Sequence, residues 1–254
     1  MYDIDIIIPS WKKPELLRVM IPFLKSSLTT NSRIIIVLNE VDPASKKILD
    51  SHNIIHIDRE NNIGPSSVDY ALPIIDSKYV VNANNDMIFA PGWDRVLIDT
   101  LEEYYPATAS CLYLENNGPL FFRDNIGPFN VVTGNKFLSN FSKGKYNHLK
   151  KVYSVAHPII CRTEDYKAVN GYSDNFDKEW ISCFGRGLDY HFAWRLLQLN
   201  KDYRFIMNPK AVVFHGSSLT RIAVEKEGPR NVFESKTGIL PKDFVASIRN
   251  LKEV

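Results

Sequence analysis

The residues with chemistry in reach sit where apolar runs stop. Val80 to Trp93 reads VVNANNDMIFAPGW, a run that begins as a buried strand and breaks on Asn84-Asn85-Asp86 before the turn at Pro91-Gly92. A carboxylate at a strand tip, flanked by amides, can coordinate a hard divalent cation such as Mn²⁺ or Mg²⁺ through oxygen. The same triplet can close the strand as an Asx-type turn. His215 follows the apolar Val212-Val213-Phe214 and precedes Gly216. A neutral imidazole there is a competent ligand for such an ion, or a packed strand-end residue. Asp189 stands where the turn Gly185-Arg186-Gly187 enters a helical pattern. It can cap that helix, or act as a general base towards a bound hydroxyl.

Something must bring these three together. Asp5–Pro9, Arg33–Leu38, Ile54–Ile57 and Tyr79–Ala83 are short apolar runs. Between them, Pro14–Ser27, Ala44–Ser51 and Ser66–Ile75 carry helical spacing. Continuous apolar strands alternating with helices predict an α/β fold with a mostly parallel sheet covered on both faces. Such sheets bind ligands outside the carboxyl ends of their strands. That rim collects Pro9-Ser10-Trp11, Asn39-Glu40, Asp58-Arg59 and Asn84-Asn85-Asp86. Further on, Trp93–Tyr104 reads as a helix, Ala109–Leu114 and Val155–Arg162 as strands, and Glu164–Val169 as a short helix stopped by Asn170-Gly171. Asp189–Leu199 reads as a helix, and Arg204–His215 contains a last strand. Residues 116–151 read as polar loop, and the charged tail from Arg221 as helix or extended chain against the body.

The chain has 254 residues, 44% hydrophobic, with a formal charge of +2. That suits one large domain or two fused lobes, and neither demands nor excludes a polyanionic partner. Three scattered cysteines, Cys111, Cys161 and Cys183, form no C-x-x-C and predict free thiols in a reducing compartment. No run approaches the length of a membrane span, so a soluble, cytoplasmic protein is expected. There is no G-x-G-x-x-G and no G-x-x-x-x-G-K-[ST]. A bound nucleotide would therefore lean on a bridging metal.

Taken in order, seven segments carry a likeness to a known family. They are IDIIIPSWKKPELL, RIIIVLNEVD, NNIGPSSVDYAL, NANNDMIFAPGW, ICRTEDYKAVNGYSDNF, GLDYHFAWRL and NPKAVVFHGSS. The chain resembles the GT-A glycosyltransferases, particularly the family 2 group, from about Ile4 to Ser218. The fourth segment resembles its D-x-D metal strand, and the sixth its E-D-x-D-x-x-x-R helix. The resemblance implies a GT-A, Rossmann-like sheet sandwiched by helices in one domain over 1–220. In it a nucleotide-sugar half (1–100) precedes an acceptor half (101–220), and 221–254 form an extension packed on the domain. It implies that Pro9, Ser10, Trp11, Asn39, Glu40, Arg59, Asn62, Gly64, Asn84 and Asn85 bind the donor. Asp86 and His215 would hold the metal, Asp189 would be the catalytic base, and Trp180, Tyr190 and His191 would meet the acceptor. Asn84 stands in place of the first acid of the triplet, Leu188 in place of the Glu before the base, and His191 in place of a following acid.

The expected reaction is metal-dependent, inverting transfer of a hexosyl or pentosyl group from a nucleotide sugar, a UDP-sugar first, to an acceptor hydroxyl. The acceptor is a glycan or, alternatively, a hydroxylated base in nucleic acid. Residues 136–151, KFLSNFSKGKYNHLKK, combine five lysines with Phe137, Phe141 and Tyr146 and no acid. That composition suits phosphates and bases, or a solvated lid. Two other classes stay open: an inactive relative that only binds a nucleotide sugar or a partner, and a nucleotidyltransferase, for which PSWKKP is not the usual phosphate loop.

Overall fold

A computed structural model describes residues 2–116, 124–176, 187–216 and 232–249. Nine strands form one sheet: β1 (Ile4–Ser10), β2 (Ser32–Leu38), β3 (Ile55–Asp58), β4 (Tyr79–Asn82), β5 (Met87–Phe89), β6 (Ala107–Leu114), β7 (Val152–Tyr153), β8 (Ile159–Arg162) and β9 (Arg204–His215). Their order is β3-β2-β1-β4-β8-β6-β9-β5, with β7 also on β9. Strands β1, β2, β3, β4, β6 and β9 run one way, and β5, β7 and β8 run against them. The fold is α/β with a mostly parallel sheet, as the apolar runs predict.

Both faces of the sheet are covered, which is why its strands read as unbroken hydrophobic runs. On one face Ile6, Ile8, Ile36 and Val81 meet Leu17, Met20, Ile21 and Leu24 of the Pro14–Ser27 helix and Trp93, Leu97 and Leu101 of the Trp93–Tyr104 helix. On the other, Ile7, Ile35, Val37 and Val80 meet Val68, Ala71, Tyr166, Phe192 and Leu196. Phe233 and Phe244, from the helices Val232–Thr237 and Pro241–Arg249, join that second cluster. Among the described residues no helix is long and apolar enough to cross a membrane. Cys111 and Cys161 are buried free thiols whose titration burial pushes well up; Cys183 lies outside the described residues.

Three expectations change. The segment expected to be helical at Ser66–Ile75 is a 3-10 helix, Gly64–Ala71. The polar stretch after Asn116 contains a helix, Val131–Ser142, capped by Asn130, whose side chain accepts from the Thr133 N–H at 2.9 Å. Phe137 of that helix is fully buried against Phe214 and Tyr146, with ring centroids 6.3 and 6.2 Å away. Tyr146 is itself buried and donates to Asp124 at 2.7 Å, while Lys145 pairs with the same carboxylate at 2.8 Å. Phe137 and Tyr146 thus fill the core and offer no ring face to a nucleobase.

The loop after the Thr163–Ala168 helix is the most constrained part of the second face. Asp69 of the 3-10 helix is 1% exposed. It accepts from the N–H groups of Tyr172 and Ser173 at 2.7 Å each, from Ser173 Oγ at 2.5 Å and from Tyr166 OH at 3.0 Å. Burial pushes the Asp69 carboxyl upwards, and those four hydrogen bonds oppose that shift. Gly171 allows the approach: its φ is +78°, and a Cβ there would lie 2.5 Å from Asp69 Oδ1. Gly171→Ala should therefore destabilise the fold by about 2–4 kcal/mol, from the left-handed backbone and the clash together. Urea unfolding measures this; an unchanged midpoint would mean that the loop is not held as described.

Candidate active site

The carboxyl ends of β1, β2, β3 and β4 are knitted into one rim. Asn39 N–H donates to Ser10 O at 2.8 Å, and Arg59 N–H to Leu38 O at 3.0 Å. Asn85 Nδ2 reaches Ser10 Oγ at 3.0 Å. Trp11, next to the half-buried Pro9, donates its indole N–H to Glu40 Oε2 at 2.8 Å, and Lys12 pairs with Glu40 Oε1 at 2.8 Å. Those two partners, Lys12 first, hold the Glu40 carboxyl below its ordinary range. Asn39 is buried and gives its amide hydrogens to Gly64 O at 3.0 Å and Ser67 Oγ at 2.8 Å, while Asn62 Oδ1 accepts from Gly64 N–H at 2.9 Å. Asn39 and Asn62 therefore shape the turn into the 3-10 helix, and Glu40 is the acid at the surface of this strand end. The Arg59 guanidinium lies 3.8 Å over Tyr70, whose ring is 4.4 Å from Phe176.

The triplet is joined to His215 by sheet pairing across 129 positions of sequence. Strand β5 runs antiparallel to β9 with Met87 opposite His215, and Gly216 N–H donates to Asp86 O at 2.8 Å. Asp86 is 2% exposed, and its Oδ1 lies 3.2 Å from His215 Nε2. Asn84 Nδ2 is 3.4 Å from the same nitrogen. On the far side of the ring, His215 Nδ1 is 2.5 Å from Glu115 Oε1, just beyond the end of β6. Burial opposes a charge on this imidazole, but Asp86 and Glu115 outweigh it and raise its pKa to about 10.

A second carboxylate is organised separately. Asp189 lies in the first turn of the Leu188–Leu199 helix, and Gly187, at φ 78°, occupies the cap position that was one reading of Asp189. Tyr172 OH donates to Asp189 Oδ1, and His157 Nε2 lies 3.3 Å from the same oxygen. The Asp189 side chain is 40% exposed, so the carboxylate is gripped from inside and open to the outside. His191 is buried and stacks on Trp194 at 5.7 Å. Tyr190 packs against Phe233 and Phe244 at 6.2 and 6.4 Å. Trp180 lies outside the described residues.

Residues 5–166 match the family described as glycosyl transferase family 2, more than half of the chain. The chain belongs to glycosyl transferase family 2. The comparison with curated proteins found no match. Among solved structures, S. aureus TarS 1–349 is similar at a TM-score of 0.55 and 11% identity, with 85% of this chain and 58% of that chain covered. The same fragment in complex with UDP is similar at 0.54 and 11%, with the same coverage. Full TarS is similar at 0.55 and 11%, with 35% of its length covered. At that identity the likeness is one of fold, the GT-A fold, and this chain spans just over half of the TarS fragment.

The family match covers Asp86 and stops before Asp189 and His215. Glu115, His157, Tyr172, Asp69 and Arg195 were not singled out from sequence. Each is an isolated polar residue with no spacing signal, except Arg195, the arginine that closes the family's helix pattern. Arg195 is 8% exposed and donates to the carbonyls of Val169, Gly171 at 3.0 Å and Tyr172 at 2.5 Å.

Among the described residues no group of three or more His, Cys, Asp or Glu is arranged as a ready-made metal cage. The donor set at His215 nevertheless fits a divalent cation. Asp86 supplies oxygen and His215 nitrogen, and a carboxylate on the other ring nitrogen, here Glu115, is the usual support of a metal-binding histidine. Without metal the imidazole holds a proton instead. Because its folded pKa, about 10, exceeds the ordinary 6.5, its stabilising effect is complete below about pH 6.5 and is lost as pH climbs towards 10. Melting temperatures of chelator-treated protein should fall across that window, and less so in His215→Gln. Equal slopes in the two proteins would place the proton elsewhere.

Proposed function

We propose that the chain is a metal-dependent, inverting glycosyltransferase that moves a hexosyl or pentosyl group from a UDP-sugar to a glycan hydroxyl. The observation that carries this reading is the presence of two separate carboxylates with opposite surroundings. Asp86 is sealed beside His215 at the strand ends, whereas Asp189 is exposed and fixed on one oxygen. The first suits charge binding, the second proton transfer. Family membership and the fold shared with a UDP-bound TarS structure support a UDP-sugar donor.

In this reading residues 1–100 bind the nucleotide sugar, 101–220 meet the acceptor, and 221–254 form an extension packed on the domain. Trp11 and Glu40 flank the base end, with the Asn62-Gly64 turn beside them. Arg59 and Asn85 line the path to the diphosphate, and Tyr190, His191 and Trp180 belong to the acceptor half. Asp86 and His215, with Asn84 beside them, would hold Mn²⁺ or Mg²⁺, which when bound neutralises the departing diphosphate as a Lewis acid. Asp189 takes the proton from the acceptor hydroxyl as its oxygen attacks the anomeric carbon opposite the nucleotide. The buried thiols of Cys111 and Cys161 fit a cytoplasmic enzyme. A nucleic-acid acceptor loses its main support, since Phe137 and Tyr146 are buried.

Two substitutions separate the roles. Asp86→Ala should abolish Mn²⁺-dependent thermal stabilisation by a UDP-sugar panel; the same stabilisation in this variant and in EDTA would take Asp86 out of the metal role. Asp189→Asn should melt normally and bind donor normally, yet turn over roughly 10²–10⁴-fold more slowly. Full activity in that variant would end its assignment as the base and reopen the choice between inverting and retaining chemistry.

A further inference from the structure

We propose that Tyr172 and His157 are positioning residues that fix the Asp189 carboxylate relative to the donor end of β4. The proposal rests on the base role given to Asp189 above. It starts from hydrogen-bond direction. His157 Nδ1 lies 3.2 Å from the Asn82 carbonyl oxygen. A carbonyl only accepts, so Nδ1 carries a hydrogen; the single hydrogen of Tyr172 goes to Asp189, so the phenol oxygen accepts from His157 Nε2–H. Nε2 is 2.5 Å from Tyr172 OH, and that hydroxyl is also bonded to Asp189 Oδ1. The result is a continuous chain: Asn82 carbonyl, imidazole, phenol, carboxylate.

Its two ends matter. Asn82 is the last residue of β4, and the triplet with Asp86 follows within four positions. The chain therefore ties the exposed base to the end of β4, from which the backbone leads on to Asp86. Each intermediate group is rigid. Tyr172 is 1% exposed and edge-on to His157, with ring centroids 5.3 Å apart. Its backbone is held by Asp69 on the N–H side and by Arg195 on the carbonyl side. Burial, then the Asp189 charge, pushes the Tyr172 phenol well above its ordinary titration, so it remains a donor at all working pH values. The titratable groups around this chain are Asp189 and His157 in direct contact, with Tyr166 and Asp69 behind the phenol. An acceptor oxygen must be aligned within tenths of an ångström for in-line attack, and misplacement by about 1 Å costs about 10²-fold in rate.

The test uses Tyr172→Phe, which removes one oxygen and keeps the buried ring, beside His157→Gln, Asp189→Asn and the Tyr172→Phe/Asp189→Asn double variant. The positioning role predicts that Tyr172→Phe and His157→Gln lower kcat by about 10- to 100-fold. UDP affinity in Mn²⁺ should match wild type. In Tyr172→Phe the acid limb of the kcat–pH profile should move to higher pH, because the carboxylate has lost a donor that favours its charged form. The double variant should be no slower than Asp189→Asn alone. A phenol that merely packs would leave the acid limb in place and make the double variant slower than either single one; that result, or wild-type kcat in both single variants, overturns the proposal. One readout needs no turnover. The ¹⁵N resonances of the His157 ring should show hydrogen on both Nδ1 and Nε2, and the Nε2 signal should shift in Tyr172→Phe. An unmoved Nε2 signal overturns the positioning chain even if no UDP-sugar is consumed, whereas a moved signal without turnover counts against the glycosyltransferase reading alone.

Discussion

A buried carboxylate and a buried guanidinium grip the same short loop, and the Asp189 end of the candidate site depends on that grip. Asp69 takes the N–H groups of Tyr172 and Ser173, and Arg195 donates to the carbonyls of Val169, Gly171 and Tyr172. The stretch Val169–Ser173, buried except at Asn170, would otherwise strand its backbone polar groups, each at a cost of about 1–3 kcal/mol. The two charges come from different elements. Asp69 belongs to the 3-10 helix that follows the strand-end rim, and Arg195 to the helix that also bears Asp189. The loop is thus the joint between that rim and the Leu188–Leu199 helix, and Tyr172 is the point at which the joint touches Asp189. Loss of Asp69 would strand the N–H groups of Tyr172 and Ser173, and loss of Arg195 the carbonyls of Val169, Gly171 and Tyr172.

The second corner is built on opposite logic. At Asp189 the grip is a neutral phenol and a ring, on a carboxylate open to solvent. At Asp86 it is an imidazole between two acids, Asp86 and Glu115, almost sealed from water. A site of that composition must hold a positive charge in some form, and the raised pKa of His215 expresses this. A bound cation and the imidazole proton are alternatives for one electrostatic demand.

Much of the fold could be read from the chain because its signals are local. The Pro14–Ser27 and Trp93–Tyr104 helices have the predicted bounds, since the apolar spacing is regular and each has a distinct start. The rim followed from unbroken runs such as RIIIVL, which only a sheet buried on both faces produces. What failed to show is tertiary. Strand β5 has three residues, too few for any periodicity, and exists because β9 pairs with it. The Val131–Ser142 helix hides in a polar composition, and its Gly134 reads as a breaker. It is there because a Cβ would lie 2.5 Å from the Phe23 ring. Asp69, inside PSSVDYAL, looks like the solvated face of a helix and is instead a buried carboxylate that accepts four hydrogen bonds. The site was legible as a set of residue types at strand ends; the side chains that orient those residues were not.

The two departures from the family pattern find separate structural accounts. Leu188, where the pattern has Glu, is fully buried in the cluster that contains Phe192 and Phe233. A carboxylate there would be desolvated with an apolar lining, so the leucine belongs to the packing that seats the Leu188–Leu199 helix. Asn84, where the triplet's first acid is expected, lies 3.4 Å from His215 Nε2 and brings no charge. Glu115, just beyond the end of β6, places its carboxylate on the other nitrogen of the same ring. Two carboxylates therefore still bear on this corner, one from the triplet and one from across the sheet, with the imidazole between them. Asn84 itself adds no charge, and the two carboxylates of this corner, Asp86 and Glu115, lie on opposite nitrogens of one imidazole.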